Sequence, residues 1–233
     1  MCRLLGITNF NYLKHQKIIN NFCDLARTGT VLAGDSPGHE DGWGLAFYDN
    51  GKLVVHKSGL NILDEQEPVL DILEKAGDSP IMILHLRKSA WSNTTSTRHA
   101  HPFDYENRVF AHNGTVYDYK GLLKDITIPG LREDALDTEV FFLHFLSSDV
   151  ADLGSAFLKT VALIKNTHSY SALNCLFSDG EKMYAYRDFS KEPDYYSLFK
   201  TQSENSVIIA SQPLSSSLLW KQMDKEEFYV ITA

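Results

Sequence analysis

The chain has 233 residues, 43% of them hydrophobic and 22% charged, with a formal net charge of −8. That balance is globular, and it gives no electrostatic reason to expect nucleic acid as a partner. No apolar run reaches the roughly 18 residues of a membrane span, and the polar start does not read as a secretory signal, so the expectation is a cytoplasmic protein with no membrane partner.

Residues 2–9 (CRLLGITN) predict a first strand. Residues 11–26 place Leu13, Ile18, Ile19, Phe22 and Leu25 at helical spacing, and 27–42 carry the Gly, Pro and Asp of a loop. WGLAFY and KLVVHK flank Asp-Asn-Gly at 49–51, a strong hairpin signal. A helix over 62–77, ending at Gly77, leads to the apolar strand PIMILHL, which delivers Arg87 at its end. The polar stretch 88–107 predicts a loop, RVFAHNG (108–114) a short strand, and 134–148 and 152–166 two helices. Strands are predicted again over 172–188, 206–211 and 226–232. No repeat or linker interrupts the chain, so one domain over 1–233 is expected. Strands at both ends with helices between suggest α+β layers, not βαβ alternation.

Cysteine directly behind Met1 is the first chemical signal. A thiolate is the attacking species, and an ordinary thiol is mostly protonated at neutral pH. An α-amine titrates lower than a lysine. With Met1 removed, one residue would hold both nucleophile and base. The plain alternative is the first residue of an edge strand. Cys23, on the apolar helix, and Cys175, alternating with Leu173 and Phe177, read as core residues. Three scattered cysteines make neither a disulfide framework nor a CxxC metal site.

Amide cleavage also needs donors for a developing oxyanion. In FAHNG, the Asn113 side chain and the Gly114 N–H are candidates, against the reading of Asn-Gly as a turn. Arg87 suits a carboxylate, against the more frequent reading of a strand-end arginine out in solvent. Asp137 could hold an ammonium or cap a helix.

In order along the chain, MCRLLG, GHEDGWGLAFY, HLRKSA, HAHPF, FAHNGTV and DTEVFF resemble the class II glutamine amidotransferases, the N-terminal-nucleophile (Ntn) glutaminases, and most closely their small stand-alone members. LNCLFSDGEKMYAYRD and VIIASQPL extend the likeness to about residue 213. The resemblance implies a four-layer αββα sandwich, two antiparallel sheets between helix layers. It implies Cys2 as nucleophile with its own amine as base, and Asn113 and Gly114 as oxyanion hole. It implies Arg87 on the glutamine α-carboxylate, Asp137 on the α-ammonium, and His101 lining the pocket. The run RKSAWSN departs from the family's usual aromatic and Thr-His or Thr-Gly sequence after the arginine, and HAHPF replaces Asn-Thr-His-Pro-Phe.

The expected activity is cleavage of the γ-glutamyl amide of glutamine or a γ-glutamyl conjugate through a thioester, as a hydrolase or with a separate synthase subunit taking the ammonia. No cofactor or metal is expected. The alternatives are a non-catalytic subunit that keeps the fold for binding, and a metallohydrolase on His39, His99, His101 and His112. The last lacks HExxH or similar ligand spacing.

Overall fold

The computed structural model describes residues 2–233; Met1, whose removal the thiol chemistry requires, lies outside the described residues. Strand β1 (Arg3–Asn11) runs into helix α1 (Tyr12–Cys23) and the short α2 (Leu25–Thr28). Asn11 caps α1 by accepting from the Lys14 N–H at 2.9 Å. The hairpin β2 (Trp43–Asp49) and β3 (Lys52–Ser58) turns through Asn50 and Gly51, both at positive φ, the conformation for which Asn-Gly is favoured. Helix α3 (Gln66–Ala76) ends at Gly77, and β4 (Asp78–Leu86) follows. Next come β5 (Phe103–Tyr105), β6 (Arg108–Val116), α4 (Asp137–Leu146) and α5 (Leu153–Thr167). The last third holds β7 (Tyr170–Ser178), β8 (Lys182–Arg187), β9 (Phe199–Ser203), β10 (Ser206–Ala210), β11 (Lys221–Gln222) and β12 (Glu227–Thr232).

These strands form two antiparallel sheets, ordered β11-β9-β10-β1-β4-β2-β3 and β12-β8-β7-β6-β5. Three apolar layers separate them and their helices, because each strand sends alternate residues to opposite faces. Outside the first sheet, Leu5, Ile7, Leu45 and Leu84 pack with Ile19, Phe22 and Leu73 of α1 and α3. Outside the second, Phe110 and Phe177 pack with Phe141, Phe145 and Phe157 of α4 and α5. Their ring centroids lie 4.6–6.4 Å apart, the range of favourable aromatic pairs. Between the sheets lie Leu4, Ala46, Ile81, Ile83, Val109, Ala111, Leu176 and Met183. The layering is αββα, as the sequence leads one to expect.

Several local expectations fail. Leu13 is 80% exposed, because Tyr12, His15, Ile18, Ile19 and Phe22 make the buried stripe of α1. The helix expected over 62–77 is split: Ile62–Asp64 form a separate 3-10 turn. The helix expected from 134 begins at Asp137. Within the expected loop, Phe103–Tyr105 pair with β6; farther on, Tyr119–Asp125 wind as a 3-10 helix.

Candidate active site

The site grows out of the layer between the sheets. Along β4 and just past its end, the residues on the inter-sheet face run Ile81, Ile83, His85, Arg87; along β6 they run Val109, Ala111, Asn113. Both rows change from apolar to polar toward the same end. The first strand delivers Cys2 there: Arg3 pairs with Leu86 in the ladder, which sets Cys2 beside Arg87. Arg3 itself is fully buried on the other face, with Nη1 donating to the Cys2 carbonyl at 3.5 Å, Nη2 bonded to the Thr30 carbonyl, and its guanidinium 4.9 Å from the Tyr195 ring. It anchors the chain terminus from behind.

Cys2, Arg87, Ser89, Trp91, His99, His101, Phe103, Gly114, Asp137 and Thr138 line one pocket. The Cys2 thiol is buried and donates to the Lys88 carbonyl at 3.7 Å. Burial pushes it above its usual range, while the Arg87 charge pulls the other way. A buried thiol in that state needs a base at the moment of attack.

Asn113 does not line the pocket surface. It sits one residue before Gly114, buried, with neither its side-chain nitrogen nor its oxygen hydrogen-bonded within the protein. An amide left unpaired in a protein interior is destabilising by about 1–3 kcal/mol, so this side chain is a candidate to take a partner from outside the chain. Gly114 stands where β6 shifts register, and a Cβ there would come within 1.9 Å of the Ala172 carbonyl oxygen. Glycine is the residue that this close approach admits.

Arg87 is clamped by the loop that follows it. Its Nη1 donates to the Thr94 carbonyl at 2.7 Å, and its Nη2 to the Ser89 and Thr94 hydroxyls at 3.0 Å each. Asp137 opens α4, where the helix dipole favours an anion. It does not cap the helix through its side chain. One oxygen accepts from the Val116 N–H and the other from the Trp91 indole, both at 3.0 Å. Burial raises its pKa, offset by His112 and these hydrogen bonds. His101 reaches the pocket from the far end of the loop, with Nδ1 against the His112 carbonyl at 3.1 Å.

The structure therefore brings Cys2, Arg87, His101, Gly114 and Asp137 to one pocket, with Asn113 immediately beneath it. The four histidines of the metallohydrolase alternative do not converge among the described residues. His39 faces the Leu25 carbonyl, His99 faces Asp134, and His112 faces Thr138 and the Ala172 carbonyl. Sequence reasoning missed Arg3, Trp91 as the partner of Asp137, and His85. The spacing of His85, two residues before Arg87 and so on the same strand face, is the one signal that points to it.

The family model for class-II glutamine amidotransferases matches residues 1–193. An uncharacterized protein of Methanocaldococcus jannaschii is 28% identical over 99% of this chain and 69% of its own length. The "Putative glutamine amidotransferase YafJ" of Escherichia coli K12 is 26% identical over 96% of this chain and 94% of its own length. The glutamine phosphoribosylpyrophosphate amidotransferase of B. subtilis superposes with a TM-score of 0.71 at 16% identity, over 99% of this chain but 47% of that one. With the family matched over most of its length and its fold reproduced throughout, this chain belongs to the class II glutamine amidotransferases.

Proposed function

We propose that the mature chain is an amidohydrolase for a γ-glutamyl amide, with Cys2 as the nucleophile. With Met1 removed, the Cys2 α-amine takes the thiol proton as Sγ attacks the side-chain carbonyl. A C–S bond forms, and the negative charge on oxygen is met by the Asn113 side-chain amide and the Gly114 N–H. The amine returns the proton to the leaving nitrogen, ammonia or an amine departs, and a thioester remains. Water then adds, the C–S bond breaks, and glutamate and the free thiol are released. Arg87 holds the α-carboxylate, Asp137 the α-ammonium, and His101 walls the pocket.

One observation carries this reading. A buried thiol, a guanidinium and a carboxylate share a single pocket, above a buried amide that lacks any protein partner. We take residues 1–233 as one functional unit, since β1 from the start of the chain lies between β10 and β4. A cytoplasmic site of action fits the thiol chemistry, and among the described residues no helix is long and apolar enough to cross a membrane. The assay is glutamate release by purified, Met1-free protein from glutamine and from a panel of γ-glutamyl peptides. Turnover of at least one, abolished in Cys2→Ala, is expected. No turnover of any by intact protein overturns the reading.

A second reading has its own support. The loop after Arg87 already occupies both anchors for a zwitterion: Thr94 and Ser89 on Arg87, Trp91 on Asp137. That is the arrangement expected of a subunit that keeps the fold for binding, or of one that a separate synthase subunit must open. Intact mass separates the readings. A retained Met1 favours the non-catalytic one, whereas labelling of Cys2 by a glutamine-like electrophile excludes it.

A further inference from the structure

Three metal-type donors meet at Cys2, and one of them, His85, has no place in the family's expected set of roles. Ligand atoms of Cys2, His85 and His101 all lie within 4.8 Å of one another, and all three residues are buried. The two imidazole rings are 4.4 Å apart between centroids, tilted by 41°. His85 is fully buried, yet neither of its ring nitrogens makes a hydrogen bond within the protein. The nearest acceptor, the His112 carbonyl, is within reach of His85 and also takes the His101 Nδ1 contact at 3.1 Å. That contact makes Nδ1 the protonated nitrogen of a neutral His101 and leaves Nε2 with its lone pair, the usual way an outer carbonyl prepares a metal-binding imidazole.

We propose that Cys2, His85 and His101 form a binding site for a borderline-soft divalent ion of the Zn2+ type, which on binding takes the sulfur out of nucleophilic use. Thiolate and imidazole donors select such ions over Mg2+ or Ca2+. In a tetrahedral site, sulfur at about 2.3 Å and nitrogen at about 2.0 Å from the ion stand about 3.5 Å apart. The three donors therefore close by little more than about 1 Å at the widest. Once Met1 is gone, the Cys2 α-amine and Sγ form a five-membered chelate ring and supply a fourth donor. The thiol proton leaves to solvent on coordination, and so does the ammonium proton wherever the α-amine is still protonated, so one to two protons are released per ion bound. The site itself stands on this geometry; its inhibitory consequence rests on the amidohydrolase reading above.

Co2+ is the probe, titrated into reduced, metal-free, full-length protein lacking Met1. A thiolate-to-cobalt charge-transfer absorption saturating near one equivalent is expected. It should vanish in Cys2→Ser and need at least tenfold more Co2+ in His85→Gln. In the unmutated protein, where folding is not in question, one equivalent of Zn2+ should slow alkylation of Cys2 at least tenfold, and a chelator should restore it. Co2+ bound without a sulfur band, a band that survives Cys2→Ser, or unchanged alkylation under Zn2+ would each overturn the site. The two readings fail separately. Protein that cleaves a γ-glutamyl amide but binds no Co2+ through sulfur sinks the metal site alone. Protein that binds Co2+ through Cys2 but turns over no γ-glutamyl substrate sinks the amidohydrolase and the inhibition, and leaves the metal site standing.

Discussion

The strand ends and the loop between Arg87 and His101 meet in one pocket, but they are held by different means. Cys2, Arg87, Asn113 and Gly114 sit on or directly beside central strands, with β1 flanked by β10 and β4, and β6 by β7 and β5. Backbone ladders hold these positions, as the proposed nucleophile and oxyanion donors require. Residues 88–99 carry no ladder. Their ties to the rest of the molecule are mostly side-chain contacts: Ser89 and Thr94 with Arg87, Trp91 with Asp137, Lys88 with Ser36, and Arg98 in ion pairs with Asp134 and Glu139. Segments held this way open at low free energy. The platform should set the rate of chemistry, and the loop the affinity for substrate.

The platform side breaks most visibly at the proposed nucleophile. Cys2→Ala should lower glutamate release by on the order of 10³-fold or more with the fold unchanged, read by steady-state kinetics and circular dichroism. Asn113→Ala should follow at about 10²–10³-fold in kcat, the usual effect of losing one oxyanion donor. It should also leave thermal stability unchanged or raised, because it removes a buried amide with no protein partner. Activity lost while stability holds is the signature that separates a functional amide from a structural one. An unfolded Asn113→Ala would refute that assignment.

Acid tests how deep the platform's order goes. His39 is fully buried under β1, and its pKa falls from 6.5 to about 3, first through burial and then through the Arg3 charge. Protonation therefore favours the unfolded chain. The stability tied to neutral His39 is complete above pH 6.5 and drains away as pH falls toward 3. At about 1.4 kcal/mol per unit, roughly 2 kcal/mol is lost by pH 5. Urea denaturation at pH 7.5 and 5 should show at least that loss, since His85, His101 and His112 are also buried with lowered pKa, and His39→Gln should shrink it by roughly 2 kcal/mol. An equal slope in both proteins would place the acid sensitivity elsewhere.

The same division explains what could be read from the sequence. The platform was legible because its residues stand in short local motifs: Cys2 just precedes β1, Arg87 just follows β4, Asn113 and Gly114 lie near the end of β6, and Asp137 begins α4. Alternation and helical spacing pointed to α+β layers, and the family resemblance supplied the αββα order. Edge elements were not legible. Phe199–Ser203 and Lys221–Gln222 lie at the sheet's rim and carry polar residues that read as loop. His85 hid inside an apolar strand, where a histidine reads as core. The contact between Trp91 and Asp137 spans 46 residues of chain, and no local pattern encodes it.

The smallest effect belongs to that contact. Trp91 packs edge-on against Tyr119, with centroids 5.9 Å apart, while its indole N–H donates to Asp137. Trp91→Phe keeps most of the ring packing and removes the donor. A hydrogen bond to a charged group contributes about 1.5–3 kcal/mol at most, and less in a loop that pays ordering entropy to make it. Asp137 stays buried and keeps the Val116 N–H, so its position is retained while the loop loses one tether. The expected result is a KM for the preferred γ-glutamyl substrate raised by about three- to tenfold, with kcat within about twofold and thermal stability nearly unmoved. A fall in kcat at constant KM would mean that the indole acts on the chemical step. The loop would then belong with the strand ends, and the division between a rigid platform and an adjustable cover would fail.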